Sequence, residues 1–181
     1  VYCYTDYPSA ELFINGKSQG RIFKDVGSRL DRYRLRWNNV KYQPGEIKVV
    51  AYDADGRKAE EKIVRTAGKV AALKLETDRR EIAADGDDLA FITVTMVDKD
   101  GNVVPDADQQ LAFEVSGAGT FKAVCNGDAT SLESFAQPTM RLFHGQLVLV
   151  VQASRQQGEI VIRVRDTKNS VPASEISVAV N

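Results

Sequence analysis

Apolar and polar residues alternate with a period of two along most of the chain, and turn-forming residues interrupt the alternation about every 8–12 positions. Strands with one buried face produce that pattern. The first set of predicted strands is AELFI, KSQGRIF, DRYRLRW, IKVVAYD and RKAEEKIV, led by VYCYTDY. Asn15-Gly16 tolerates the positive φ angles of a tight hairpin and joins the first two, while ADG at 54–56 turns the last pair. The alternation pauses at Thr66-Ala67-Gly68. A second set follows: VAALKLETD, LAFITVTMVD, LAFEVSG, GTFKAV, the long run MRLFHGQLVLVVQAS, EIVIRVRD and EISVAV. Only SLESF at 131–135 suggests a helical turn. Each set supplies its own alternating apolar face, so the expected fold is all-β, two tandem β-sandwiches spanning residues 1–67 and 68–181.

The segment DRYRLRW (31–37) holds the only Trp. As a strand it would turn Tyr33, Leu35 and Trp37 one way and Arg32, Arg34 and Arg36 the other. The apolar set suits a sandwich interior, and the arginines form a solvated face or a domain interface, since their fixed fork of donors matches carboxylates. The competing reading makes Trp37 an exposed platform. Tyr42, in the polar turn KYQPGE, is a second platform candidate, and Tyr2 and Tyr4 share one face of the first strand. Exposed rings of this kind stack on the apolar faces of sugars.

Composition narrows the function classes. With 24 Lys and Arg against 25 Asp and Glu, the chain has no basic field to attract nucleic acid. No apolar run reaches the roughly 20 residues that cross a bilayer, so membrane insertion is not expected. Two cysteines, Cys3 and Cys125, and one histidine, His144, offer no set at zinc spacing; the thiols are expected to be unpaired and mostly buried. VYCYTDY begins without a Met or a polar lead-in, as a strand entered midway, so a piece of a longer protein is expected.

Five places invite a chemical reading. Asp53 and Asp55-Gly56, and likewise Asp98, Asp100 and Gly101-Asn102, resemble the opening of a calcium loop, but they lack its distal Glu and also suit hairpin turns. The polar loop with Asn126, Asp128, Ser131 and Glu133 carries two carboxylates, the residue type of glycoside hydrolysis. Nothing in the sequence sets their separation, and contact with a ligand or neighbouring domain suits them better. His144, at an expected turn, has no nucleophile elbow beside it. Gly117 and Gly119 lack the Lys-Ser/Thr of a phosphate loop, and no cofactor motif stands elsewhere.

VYCYTDYPSAELFINGKSQG, the Trp37 strand and YQPGEIKVVAYDADGR together resemble the small β-sandwich that follows the catalytic barrel in bacterial β-galactosidases of glycoside hydrolase family 2. LKLETDRREIAADGDDLAFITVTMVDKDGNVVPDA resembles the invasin-like, immunoglobulin-type domain that closes such enzymes, and VCNGDATSLESF is similar to its Asn-Gly-Asp loop. The resemblance implies that chemistry belongs to an upstream (β/α)₈ barrel with two glutamates, so no catalytic residue is carried over onto this chain. It implies a scaffold for that barrel, a cleft rim with Asn126, Asp128 and Glu133 as contact candidates, or an oligomer contact, in an exported periplasmic or cell-surface enzyme. A carbohydrate-binding module and an adhesin-like structural domain are the alternatives; the second would show internal repetition, and the two halves are not obvious copies.

Overall fold

The computed structural model describes all 181 residues, which form fifteen strands joined by turns and loops, with no helix. They fall into two compact units, Val1–Thr66 and Ala67–Asn181.

In the first unit β2 (Ser9–Ile14), β3 (Lys17–Phe23), β5 (Glu46–Tyr52) and β6 (Lys58–Arg65) form an antiparallel sheet in the order β3-β2-β5-β6. Asn15 and Gly16 both take positive φ, 48° and 78°, which closes the β2–β3 hairpin. A two-stranded ladder of β1 (Tyr2–Cys3) and β4 (Leu35–Arg36) makes the opposing layer. Ala10, Leu12 and Ile14 alternate inward from β2 and pack with Leu35, Trp37 and Ala51.

DRYRLRW is not one strand. Ser28 Oγ accepts from the N–H groups of Leu30 and Asp31, and Tyr33 N–H donates to Leu30 C=O, so the chain turns before β4 begins. The alternation therefore holds only for Leu35, Arg36 and Trp37. Leu35 and Trp37 are buried, whereas Tyr33, expected inside, lies in the turn and is 65% exposed.

The second unit stacks two sheets. One is β12 (Thr139–Arg141), β10 (Gln110–Gly117), β14 (Gly158–Asp166), β15 (Ser174–Val180) and β8 (Glu81–Ile82), in that order. The other is β11 (Gly119–Cys125), β13 (Gln146–Ala153), β9 (Leu89–Asp98) and β7 (Val70–Thr77). All pairings are antiparallel except β15 with β8. Every second residue of β9 (Ala90, Ile92, Val94, Met96) and of β14 (Ile160, Ile162, Val164) is fully buried, and Leu149 and Val151 of β13, beside β9, join the same core. This continuous apolar layer is the larger of the two cores.

The run MRLFHGQLVLVVQAS divides into β12 and β13, which belong to different sheets. His144 and Gly145 take φ of 50° and 75° and reverse the chain between Phe143 and Gln146. The predicted helical turn at 131–135 is absent: the loop is held by Asx- and Ser-type turns instead, which use the polar side chains that a helix would leave free. Cys125 is exposed, because β11 ends with Val124 facing the core and the next residue facing out; Cys3 is half-buried, and both thiols are free. The expectation of two buried thiols is corrected for Cys125.

Candidate functional site

The Asn126–Glu133 loop lies between β11 and β12 of the second unit. Asn126 Oδ1 accepts from Asp128 N–H, and its amide donates to Arg141 C=O at 2.9 Å. Asp128 Oδ1 accepts from the Thr130 N–H and hydroxyl. These Thr130 bonds, and the field of His144, hold its carboxyl below the usual carboxylate range. Glu133 reaches back to the sheet, accepting from Gln110 Nε2 at 2.9 Å and from Arg141 N–H. Glu133 and the Asn126 amide fasten the loop to β10 and β12, and Asp128 braces it from within. Between these anchors the loop lifts Leu132 fully into solvent, with Phe135 58% exposed nearby.

The acidic turns are structural. Asp98 is buried and accepts from Gly68, Asp100 and Asn102 N–H groups and from the Asn102 amide. Those bonds, led by the Gly68 N–H, hold its carboxyl at about 2. Asp53 caps the 54–56 turn through Arg57 N–H, and Asp55 pairs with the Arg57 guanidinium. Both oxygens of Asp98 are committed to its own turn, while the Asp100 carboxylate pairs with Lys99 Nζ.

In the first unit, Trp37 is 6% exposed and its indole N–H donates to Gly20 C=O at 2.9 Å. A buried ring offers no face to a sugar, so the platform reading of Trp37 is corrected: it is a core residue. Tyr42 is 77% exposed, with its hydroxyl 3.3 Å from Thr66 Oγ1. The arginines do not act alike. Arg34 and Arg36 converge on Asp31, and Arg34 also lies over the Tyr2 ring, 5.1 Å from its centroid. Arg32 sits over the Tyr33 ring at 5.5 Å. Tyr2 and Tyr4 are 57% and 70% exposed, so this side of the unit presents aromatic rings beside guanidinium groups.

A groove beside that surface escapes the sequence pattern. It holds about 390 Å³ and is lined by Val1–Thr5, by Ile47, Val49 and Ala51 of β5, and by Glu60–Lys62 and Val64 of β6. The signal was in RKAEEKIV, where Glu60, Lys62 and Val64 share the inward face. Two charges on an inward face announce that nothing in this unit covers that strand.

Residues 73–173 match the family described as glycoside hydrolase family 2 C-terminal domain 5, and residues 1–60 match a domain family of unknown function, DUF4982. A β-galactosidase of Bacteroides ovatus is 40% identical over 88% of this chain, which spans 18% of that protein's length. A β-glucuronidase of Formosa agariphila is 30% identical over 70% of the chain, which spans 12% of it. The solved structure of a glycosyl hydrolase family 2 member from Bacteroides cellulosilyticus superposes with a TM-score of 0.90 at 30% identity, covering 99% of this chain and 22% of that one. The chain belongs to glycoside hydrolase family 2, within whose members it corresponds to the C-terminal accessory region.

Proposed function

We propose that this chain is the non-catalytic scaffold of a β-galactosidase that cleaves O-glycosidic bonds in carbohydrate breakdown. The observation that carries the reading is the 40% identity to a β-galactosidase, sustained over 88% of the chain and therefore across both sandwiches. In this reading a catalytic barrel of the same polypeptide supplies the two glutamates of a retaining mechanism. The commitment of Asp128 and Glu133 to loop hydrogen bonds supports a structural role for them, because a general acid needs a carboxyl free to meet substrate. The pinned loop that lifts Leu132 and Phe135 into solvent then serves as a contact with the barrel or the rim of its cleft. The second sandwich, with five strands facing four, is of the immunoglobulin or invasin type. The parent is exported to the periplasm or cell surface, which fractionation of the producing cells tests.

The substrate is tested on the full-length parent with aryl β-galactoside and aryl β-glucuronide side by side. Preference for the galactoside is expected. Preference for the glucuronide would replace the galactosidase reading with the activity named for the Formosa relative, and no turnover of either would remove the glycosidase role.

A further inference from the structure

The dipeptide Asn-Gly occurs twice in the chain, at Asn15-Gly16 and at Asn126-Gly127. The peptide nitrogen that follows an Asn can attack the side-chain carbonyl carbon, and a following Gly, with no Cβ, leaves that approach open. Both pairs sit in turns, and the structure holds them differently. Asn15 is exposed, but its carboxamide is tied to a distant part of the chain. Its Oδ1 accepts from Glu46 N–H at 2.7 Å, its Nδ2 donates to Pro44 C=O at 3.0 Å, and its own N–H donates to Glu46 C=O. Gly45 lies so near that an added Cβ would overlap Oδ1. These contacts direct the carboxamide at residues 44–46 rather than at the Gly16 peptide.

Asn126 is half-buried, and its carboxamide folds forward along its own chain. Its Oδ1 accepts from Asp128 N–H at 3.0 Å, an Asx turn that spans Gly127 and brings Cγ against the Gly127 peptide. Gly127 is exposed, and open space lies where a Cβ would stand. Its N–H donates to no protein acceptor. The Asp128 N–H is aimed at the oxygen on which negative charge develops when Cγ is attacked, as donors are that stabilise a tetrahedral intermediate. Access to water would favour Asn15, whereas alignment of the reacting atoms favours Asn126.

We propose that Asn126-Gly127 is a self-modification site, at which the folded chain converts Asn126 to aspartate and isoaspartate. The Gly127 nitrogen bonds to Cγ, the Cγ–Nδ2 bond breaks, and Nδ2 leaves as ammonia with the Gly127 amide proton. Water then opens the resulting succinimide at either carbonyl. One opening gives aspartate, and the other gives isoaspartate, whose main chain runs through the former side chain. The departing nitrogen is the atom that donates to Arg141 C=O at 2.9 Å. Conversion therefore removes one anchor of the loop and adds a carboxylate beside Asp128, while the Glu133 contacts to Gln110 and Arg141 persist. The loop that carries Leu132 and Phe135 is thus loosened with age at its β11 end.

The test ages the folded chain at neutral pH and follows both positions by peptide mapping, with electron-transfer fragmentation to separate isoaspartate from aspartate. Asn126 is expected to convert several-fold faster than Asn15, although Asn15 is the more exposed, with isoaspartate among its products. In concentrated urea the two rates should converge, because the dipeptide is the same. Gly127→Ala should slow conversion at Asn126 several-fold and leave Asn15 unchanged. Equal rates in the folded chain, faster loss at Asn15, or survival of both would overturn the proposal. A rate at Asn126 indifferent to Gly127→Ala, or aspartate as its sole product, would mean direct hydrolysis of the side chain and would overturn the ring closure. A difference that persists in urea would assign the selectivity to flanking sequence rather than to the fold, which overturns it as well.

Discussion

Replacing Trp37 with Ala removes the largest side chain from the smaller of the two cores. The ring is 6% exposed and packs with Ala10, Leu12, Ile14, Leu35 and Ala51. Truncating a buried Trp costs about 3–5 kcal/mol, the lost transfer energy plus the cavity left behind. A unit of this size, Val1–Thr66, holds about 3–10 kcal/mol in total at 0.05–0.15 kcal/mol per residue. The substitution therefore takes away most of what keeps the unit folded. With a urea m-value of about 1.5 kcal/mol/M, a 3 kcal/mol loss moves the midpoint down by about 2 M. Trp37→Phe keeps much of the packing and loses the donor to Gly20 C=O, so its cost should fall between wild type and Ala. The assay is urea unfolding followed through the amide resonances of Ala10 and Leu12, which report on this unit alone. A shift of less than about 0.3 M would match a surface residue, worth about 0.5 kcal/mol or less, and would refute the core assignment.

Three further outcomes are expected. Asp98 titrates at about 2 in the folded chain, below its ordinary 3.8, so the stability it contributes is complete above about pH 4 and is lost as pH falls through 2; Asp98→Asn should flatten the acid limb of thermal midpoint against pH, and an unchanged limb would contradict its role. Gly117 has φ of 87°, and a Cβ there would lie 2.1 Å from Glu159 C=O, so Gly117→Ala should cost about 2 kcal/mol or more in chemical denaturation; a neutral result would mean that the β10–β11 turn is built differently. Glu133→Ala should release the Asn126–Glu133 loop by freeing Gln110 and Arg141, seen as faster hydrogen exchange at the Arg141 amide, at a cost of about 1–2 kcal/mol; unaltered exchange would show that the loop is held by other contacts.

How much of this was legible in the sequence depends on how local each cause is. The alternation in LAFITVTMVD and EIVIRVRD reports burial directly, because every second residue meets the core. Asn15-Gly16 and Asp55-Gly56 are likewise local, since backbone conformation alone selects those residues. DRYRLRW misled by its regularity: the Ser28 hydroxyl and the Leu30–Tyr33 turn interrupt the strand, and the apolar Tyr33 goes to solvent. In MRLFHGQ, two residues with positive φ outweigh a long apolar run. The groove depends on which strands the β1/β4 pair covers, a long-range fact, and only the charges of Glu60 and Lys62 hinted at it. The Asn126 segment was legible as a polar loop between strands, but its Asx- and Ser-type turns stand where a helical turn was expected, and the reach of Glu133 to Gln110 spans 23 positions and has no sequence signature.

Whether this region supports a glycosidase without performing its chemistry is decided by a single comparison. Equimolar amounts of the 181-residue chain, verified as folded by its β-sheet circular dichroism, and of the full-length parent are assayed against an aryl β-galactoside. Turnover is expected from the parent, and a rate at the buffer background from the chain alone. Hydrolysis by the chain alone, abolished by replacing Asp128 or Glu133, would place catalysis in the second sandwich and contradict the scaffold role.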